Sequence, residues 1–311
     1  MNVLVTGCGG DIGQSIGKIL KKHHLVNNII GCDISDKNPS KFIYDKFITV
    51  NRCTNIDYLS DIQNIITDFN IDLIIPLSEA EIRYITSKDI DSKIFDCPVI
   101  MANRKVRIIG LDKLKTIDLL INNGLPYPNT TILKDKKPDS FPFIVKSRTG
   151  AGSKSIFTAK DLIDFEYFKA KYPNYLAQEI IPSEEGEFTC GVFRSKNRET
   201  RTIIFKRELT GGYSGYGELY SSDSISNFLE KIADLVDLRG SINVQFRLRD
   251  NIPYIFEINP RFSSTVLFRH KLGFEDLIWS IEDFLGNKIS DYNIKSNNAK
   301  FYKGFDEYID F

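Results

Sequence analysis

The sequence predicts an α/β unit built on a parallel sheet, followed by an α+β part dominated by antiparallel strands. Apolar strand-like runs alternate with helix-like segments up to about residue 102, the pattern of parallel strands joined by helical crossovers. Beyond about residue 187, the runs EFTCGVF, RTIIFKREL, NVQFRLR and PYIFEIN follow one another with the strand–turn–strand rhythm of an antiparallel sheet. At 311 residues the chain can bury a large core and make two or three domains.

The elements follow in order. Residues 2–6 (NVLVT) read as a buried strand, and GCGGDIG opens a helix reaching about Lys22. NNIIGCD is a second strand ending at Asp33, and DKFITV a third. A helix from about Tyr58 to Phe69 leads into the strand IDLIIPL, and CPVIMA, after another helical stretch, closes a first unit of residues 1–102. The second unit, residues 103–311, divides into lobes at about 103–182 and 183–311. Its helix from about Lys113 to Asn122 stops at Asn123-Gly124, a C-cap signal. FPFIVKS is a strand feeding the loop RTGAGSKS, and LAQEIIP is a short strand. Helices are expected from about Ser224 to Leu238 and from about Phe274 to Leu285. GGYSGYGE reads as flexible, and residues 287–311 as polar with little pattern.

Composition narrows the function. With 41 basic and 41 acidic residues, no global field recruits nucleic acid or an anionic membrane. The five cysteines (Cys8, Cys32, Cys53, Cys97, Cys190) are scattered without a CxxC pair, which argues against a disulfide framework or zinc site and fits a reducing cytoplasm. The chain opens on a strand with no basic leader, and no apolar run approaches the roughly 20 residues that span a bilayer. Three histidines leave little room for histidine chemistry.

The segment NVQFRLRDNIPYIFEINPR, Asn243 to Arg261, concentrates polar chemistry. Val244, Phe246 and Leu248 alternate with polar residues, as do Tyr254, Phe256 and Ile258, and Arg249-Asp250-Asn251 supplies the turn. A turn centred near Asn251 sets Gln245 opposite Glu257, with Asn259 on the same face and Arg261 close by. Polar residues on one sheet face are usually just solvated. Here a carboxylate and carboxamide oxygens share one patch with an adjacent guanidinium, and hard divalent cations bound to phosphates take oxygen ligands of this kind.

Three further segments could meet phosphates. Gly7-Cys8-Gly9-Gly10-Asp11-Ile12-Gly13 follows a strand and opens a helix, and Asp33 stands where a ribose-binding acid would sit. That is the pattern of an NAD-dependent short-chain epimerase or reductase, although any parallel α/β unit needs a glycine turn here. Such an enzyme also needs a tyrosine with a lysine four residues on, and Tyr84/Lys88 and Tyr167/Lys171 have that spacing. Second, Lys146 closes the strand FPFIVK, and Gly150 and Gly152 let the next loop fold over a polyphosphate. No GxxxxGK[ST] is present, so this is not a P-loop. Third, Gln178-Glu179-Ile180-Ile181 precedes Gly186-Glu187-Phe188, by itself only an edge strand and an acidic loop.

Taken in order, a lysine opening a helix, a strand lysine with a glycine loop, a QE strand, a GEF segment and Q…ExNPR resemble the ATP-grasp superfamily. Within it the chain is most similar to the carbamoyl-phosphate-synthase-like group, which includes small carboxylate–amine ligases. The resemblance spans roughly residues 1 to 286. It implies a Rossmann-like preceding domain that usually binds no dinucleotide, then an ATP-grasp fold whose two α+β subdomains clasp ATP. It further implies that Lys113 and Lys146 hold the phosphates, and that the loop Gly150–Ser153, with Gly152, closes over them. Glu179 and Ile181 would meet adenine through backbone groups, and Glu187 the ribose. Gln245, Glu257 and Asn259 would hold magnesium or manganese, and Arg261 would stabilise the transferring phosphoryl group. Lys206 or Arg207 would line the substrate side, and Arg269 would pair with a substrate carboxylate.

The chain departs from the family's pattern at three places: Ser155 stands where a further glycine is frequent, Lys146-Ser147 where Lys-Pro is common, and Gly191 where an acidic residue often stands. The implied reaction is ATP-dependent activation of a small-molecule carboxylate as an acyl phosphate, its capture by an amine, and release of ADP and phosphate. Neither nucleic acid nor membrane is an expected partner, and a homodimer is an expected assembly.

Overall fold

The computed structural model describes residues 1–150, 156–182, 184–296, 298–304 and 306–309. The first unit is a parallel sheet in the order β3-β2-β1-β4, from β1 (Asn2–Thr6), β2 (Asn28–Asp33), β3 (Lys46–Thr49) and β4 (Leu73–Pro76). Helix α1 (Asp11–Leu20) packs on one face, and α2 (Tyr58–Asp68) and α3 (Glu79–Ser87) on the other. Both faces are therefore covered, as a parallel sheet requires. The short strands β5 (Lys93–Ile94) and β6 (Cys97–Pro98) follow, and Val99 bridges in parallel to Ile74.

A small antiparallel sheet has the order β7-β10-β8-β9: β7 (Thr130–Ile132), β8 (Phe143–Lys146), β9 (Ile156–Ala159) and β10 (Leu176–Glu179). Its core of Leu133, Phe143, Val145, Ala159 and Ala177 is closed by Phe165 of α6 (Leu162–Lys171). The large antiparallel sheet has the order β15-β14-β11-β12-β13-β16. Its strands are β11 (Glu187–Arg194), β12 (Thr200–Thr210), β13 (Tyr213–Tyr220), β14 (Gly240–Arg249), β15 (Ile252–Asn259) and β16 (Lys300–Tyr302). Helices α4 (Arg104–Gly110), α5 (Lys113–Asn122) and α7 (Asp223–Leu235) bury its apolar face, with Val106, Ile117 and Leu229 packed against Phe188, Val244 and Phe246. Helices α8 (Val266–Lys271) and α9 (Asp276–Phe284) return to the first unit, where Val266, Leu277 and Ile281 share a core with Ile16 and Ile19 of α1.

Several local expectations need correcting. GGYSGYGE is not a flexible segment: Tyr213–Tyr220 is β13, paired along its length with β12. The weakly patterned C-terminal stretch contributes β16, which pairs Phe301 with Gly217 at the sheet edge. Helices α4, α6 and α8 were not anticipated, and all three are short or weakly amphipathic.

The β14–β15 hairpin pairs Gln245 with Glu257 as expected, for a different reason. Its two-residue turn, Asp250-Asn251, has positive φ at both positions (54° and 59°) and closes Arg249 on Ile252, the geometry that matches strand twist. That register alone would place Gln245 opposite Phe256. A bulge leaves Phe256 unpaired, so Phe246 meets Ile255 and Gln245 meets Glu257. The inward residues are consequently Ile255 and Ile258, not the expected set Tyr254, Phe256 and Ile258.

Candidate functional site

The bulge aims the hairpin's polar groups at the small sheet. With Phe256 out of the ladder, its carbonyl accepts from Lys146 Nζ at 3.3 Å, and the ammonium lies 5.6 Å from the Phe256 ring centroid. Lys146 is 5 % exposed. Burial pulls its pKa down to about 8, a fall that nearby Lys113 deepens and Glu257 and Glu187 oppose.

Lys113 opens α5 because Asp112 caps that helix, accepting from the Leu114 and Lys115 amides at 3.1 and 3.4 Å. Asp112 also takes a bidentate pair from Arg148, with contacts of 2.7 to 3.0 Å, which ties the helix start to the strand end carrying Lys146. Lys113 Nζ then lies 3.2 Å from Glu257 Oε1 and donates to the Gly150 carbonyl at 2.6 Å. Burial pushes the Glu257 carboxyl up, but Lys113 and Lys146 outweigh it and hold the group below the usual carboxylate range. Asn259 donates to Glu257 Oε2 at 3.2 Å.

The rest of this sheet face is a chain of paired charges. Arg207 donates to Glu187 Oε1 and Gln245 Oε1, at 2.9 and 2.8 Å. Arg247 holds the other Glu187 oxygen at 2.9 Å and the Ile181 carbonyl at 3.0 Å. The Glu179 carboxylate accepts from the Asn129 amide at 2.9 Å and pairs with Arg249. Arg261 is half-buried just beyond Asn259 and donates to the Phe262 carbonyl.

The structure thus gathers Lys113, Lys146, Gly150, Glu257, Asn259, Gln245, Arg207 and Glu187 between the two antiparallel sheets. Gly152, Ser153 and Ser155 lie outside the described residues. Lys206 does not join the group. Alternate strand residues face opposite sides, so Lys206 shares the face of Ile204 and lays its side chain over Gly186, where a Cβ would lie 2.4 Å from Lys206 Cε.

Arg269 also stands apart. Expected to meet a substrate carboxylate, it is fully buried and bound to Asp276 (3.1 Å), Ser263 (2.5 Å), Thr265 (3.0 Å) and Asn243. Its role in this structure is to hold β14 and α8 together. The guanidinium also explains Gly191, because a Cβ there would lie 2.8 Å from Arg269 Nη1.

The N-terminal glycine turn closes on itself. The Gly9 amide donates to Asp33 Oδ2 at 2.8 Å and the Ile34 amide to Oδ1 at 2.7 Å, so both oxygens of the expected ribose acid are engaged. Ser40 Oγ and Tyr44 OH donate to the Cys8 and Gly13 carbonyls, each at 2.6 Å. Tyr167 and Lys171 bond to each other at 2.8 Å on exposed α6, in the small-sheet lobe.

Glu257, Asn259 and Gln245 supply oxygen donors of the kind hard divalent cations take. Among the described residues, no group of three or more His, Cys, Asp or Glu could hold an ion. One carboxylate with two carboxamides is an incomplete shell that phosphate oxygens would complete, so the donor set fits a nucleotide-bound cation. Sequence reading missed Asp112, the Phe256 carbonyl and Glu79, whose Oε1 accepts from the Gly150 amide at 3.0 Å. The Asp112-Lys113 cap was legible as an N-cap signal; the other two have no local signature.

Residues 111–265 match the model of the ATP-grasp domain, and residues 3–100 that of the PylC-like N-terminal domain. The chain belongs to the ATP-grasp superfamily. It is 32% identical over 75 residues to the carbamoyl phosphate synthase large chain of Thermoanaerobacter sp., a match covering 24% of this chain and 7% of the relative. Against the carbamoyl-phosphate synthase of Methanobrevibacter smithii it is 27% identical over 124 residues, or 37% and 34%. The chain thus spans about a third or less of the length of these relatives. The solved N5-carboxyaminoimidazole ribonucleotide synthetase of Thermus thermophilus superposes with a TM-score of 0.74 at 12% identity, over 96% of this chain and 82% of that one. The ADP complex of the Staphylococcus aureus N5-carboxyaminoimidazole synthetase gives 0.73 at 17% identity, over 93% and 78%. At these identities the likeness is one of fold: a mixed α/β N-terminal domain followed by a two-subdomain ATP-grasp fold.

Proposed function

We propose that this chain is an ATP-dependent carboxylate–amine ligase, forming an amide from small-molecule substrates through an acyl phosphate. The observation that carries the reading is the convergence of Lys113, Lys146 and the Glu257–Asn259 pair between two sheets. The proposed domain limits are 1–102 for the preceding domain and 103–311 for the ATP-binding unit. In this reading Lys113 and Lys146 bind the phosphates, and Gly150, with Gly152 and Ser153, opens the loop that covers them and excludes water from the acyl phosphate. The backbone of Glu179 and Ile181 contacts the base, and Glu187, released from its arginines, the ribose.

A magnesium or manganese ion on Gln245, Glu257 and Asn259 would neutralise charge on the phosphate oxygens. Arg261 stabilises the transferring phosphoryl group and Arg207 orients the carboxylate. A carboxylate oxygen attacks the γ-phosphorus of ATP, the bond to the bridging oxygen breaks and ADP leaves. The amine nitrogen then attacks the acyl carbon, the C–O bond to phosphate breaks, and phosphate leaves with the amine's proton.

Among the described residues, no helix is long and apolar enough to cross a membrane. The five cysteines are free, in keeping with a reducing cytoplasm as the working compartment. A homodimer accompanies this reading and is tested by sedimentation. The decisive experiment is an ADP-release screen over paired carboxylates and amines, with mass spectrometry of the products. Absence of ADP release with every pair, despite tight ATP binding, would leave a nucleotide sensor instead of a ligase.

A further inference from the structure

A cavity of about 730 Å³ opens between the C-terminal half of α1, helix α8, the Pro39–Phe42 turn and residues 306–308. That volume suits a small molecule. None of the residues assigned to the nucleotide site lines it.

Its lining is basic although the whole chain is neutral. Lys18, Lys21, Lys22, Lys271 and Lys295 surround it, with Asp306 as the carboxylate among its lining residues. Lys18 is paired with Asp306 at 2.6 Å and Lys21 with Asp45 at 3.6 Å. Among the described residues, Lys22, Lys271 and Lys295 make no ion pair. Glu275 lies within electrostatic reach of Lys295 and 3.6 Å from His270, which also lines the cavity. The walls are apolar: Ile19, Ile43 and Leu267 stand beside Phe42, which stacks on Tyr308 with centroids 5.2 Å apart.

Lys21, Lys22, Lys271 and Lys295 are exposed around this apolar wall, so a multiply charged anion seated on it would meet several ammonium groups at once. We propose that this cavity is a second ligand site, taking a small polyanion with at least two phosphate or carboxylate charges on a compact, partly apolar body. The site is placed to influence the first. Leu267, His270 and Lys271 of α8 line the cavity, while Arg269 of the same helix is fastened to Asn243, the register partner of Asn259. The inference does not depend on the ligase reading.

The test is calorimetric titration of the full chain with pyrophosphate and, separately, citrate, in EDTA, against the triple variant K22A/K271A/K295A. Anion binding at the nucleotide site is common to both proteins, so the difference reports the cavity. We expect at least one probe to lose tenfold or more in affinity in the variant; the probe that does so assigns the charge as phosphate or carboxylate. With only three histidines in the chain, the His270 imidazole signal, assigned through H270Q, reports the same event by NMR without disturbing the lysines. Failure of both probes to bind, equal affinity in the variant, or an unmoved His270 signal at saturation would each overturn the proposal.

Discussion

Two regions of this molecule carry the residue types of a phosphate site, and their polar groups have opposite fates. At the glycine turn, Asp33, Ser40 and Tyr44 are consumed by the turn's own amides and carbonyls. Its backbone is held for packing, and Gly13 is needed there because a Cβ would lie 2.2 Å from the Cys8 carbonyl oxygen. On the hairpin face, the same kinds of groups form ion pairs that a ligand can exchange, Lys113 with Glu257 and Arg207 with Glu187. A polar motif becomes a site when its partners are exchangeable, and structural when they are backbone groups it must hold.

The sharpest test of that distinction lies beneath the hairpin face, where Arg269 is structural. Arg269→Ala strands the buried Asp276 carboxylate and is expected to cost about 3–5 kcal/mol in urea unfolding. Glu257→Gln should instead leave the folded spectrum intact and cut ADP release on the order of 10²-fold or more. Normal turnover in that variant would falsify the metal assignment.

In the glycine turn, Gly13→Ala is expected to destabilise by about 1–3 kcal/mol through the backbone clash, with the KM for ATP of the folded protein within about twofold of the parent. A large KM change there would erase the distinction drawn above.

The smallest effect is a pH dependence. Because burial draws the folded Lys146 ammonium down to about 8, from an ordinary lysine value of about 10.4, ATP affinity should fall as pH rises through about 8. Between those two values the unfolded chain holds a proton that the native state has released, so this residue's contribution to stability becomes more favourable as pH rises across the same window. Calorimetry of ATP binding and urea unfolding over that range, with Lys146→Met as control, should show the two opposite slopes.

Much of this was legible in the sequence. The parallel unit follows from strand–helix alternation, and the sequence names Lys113, Lys146, Gln245, Glu257 and Asn259, which the structure sets close together. Lys206 and Arg207 could not be separated, because which neighbour faces the site depends on strand parity within a sheet. Arg269 was misassigned because an exposed arginine and a buried one read alike in sequence. The β16 strand was invisible because its three residues gain their order from pairing with β13.

By itself, the sequence determined the periodicities, the turn at Asp250-Asn251 and the order of polar residues along the chain, since these are properties of neighbouring residues. Only the tertiary structure decided which charges pair, which arginine is buried, and that a bulge at Phe256 turns Glu257 toward Lys113. Those outcomes depend on the register and burial of segments far apart in sequence, where the energy of a charge is set by what surrounds it in space.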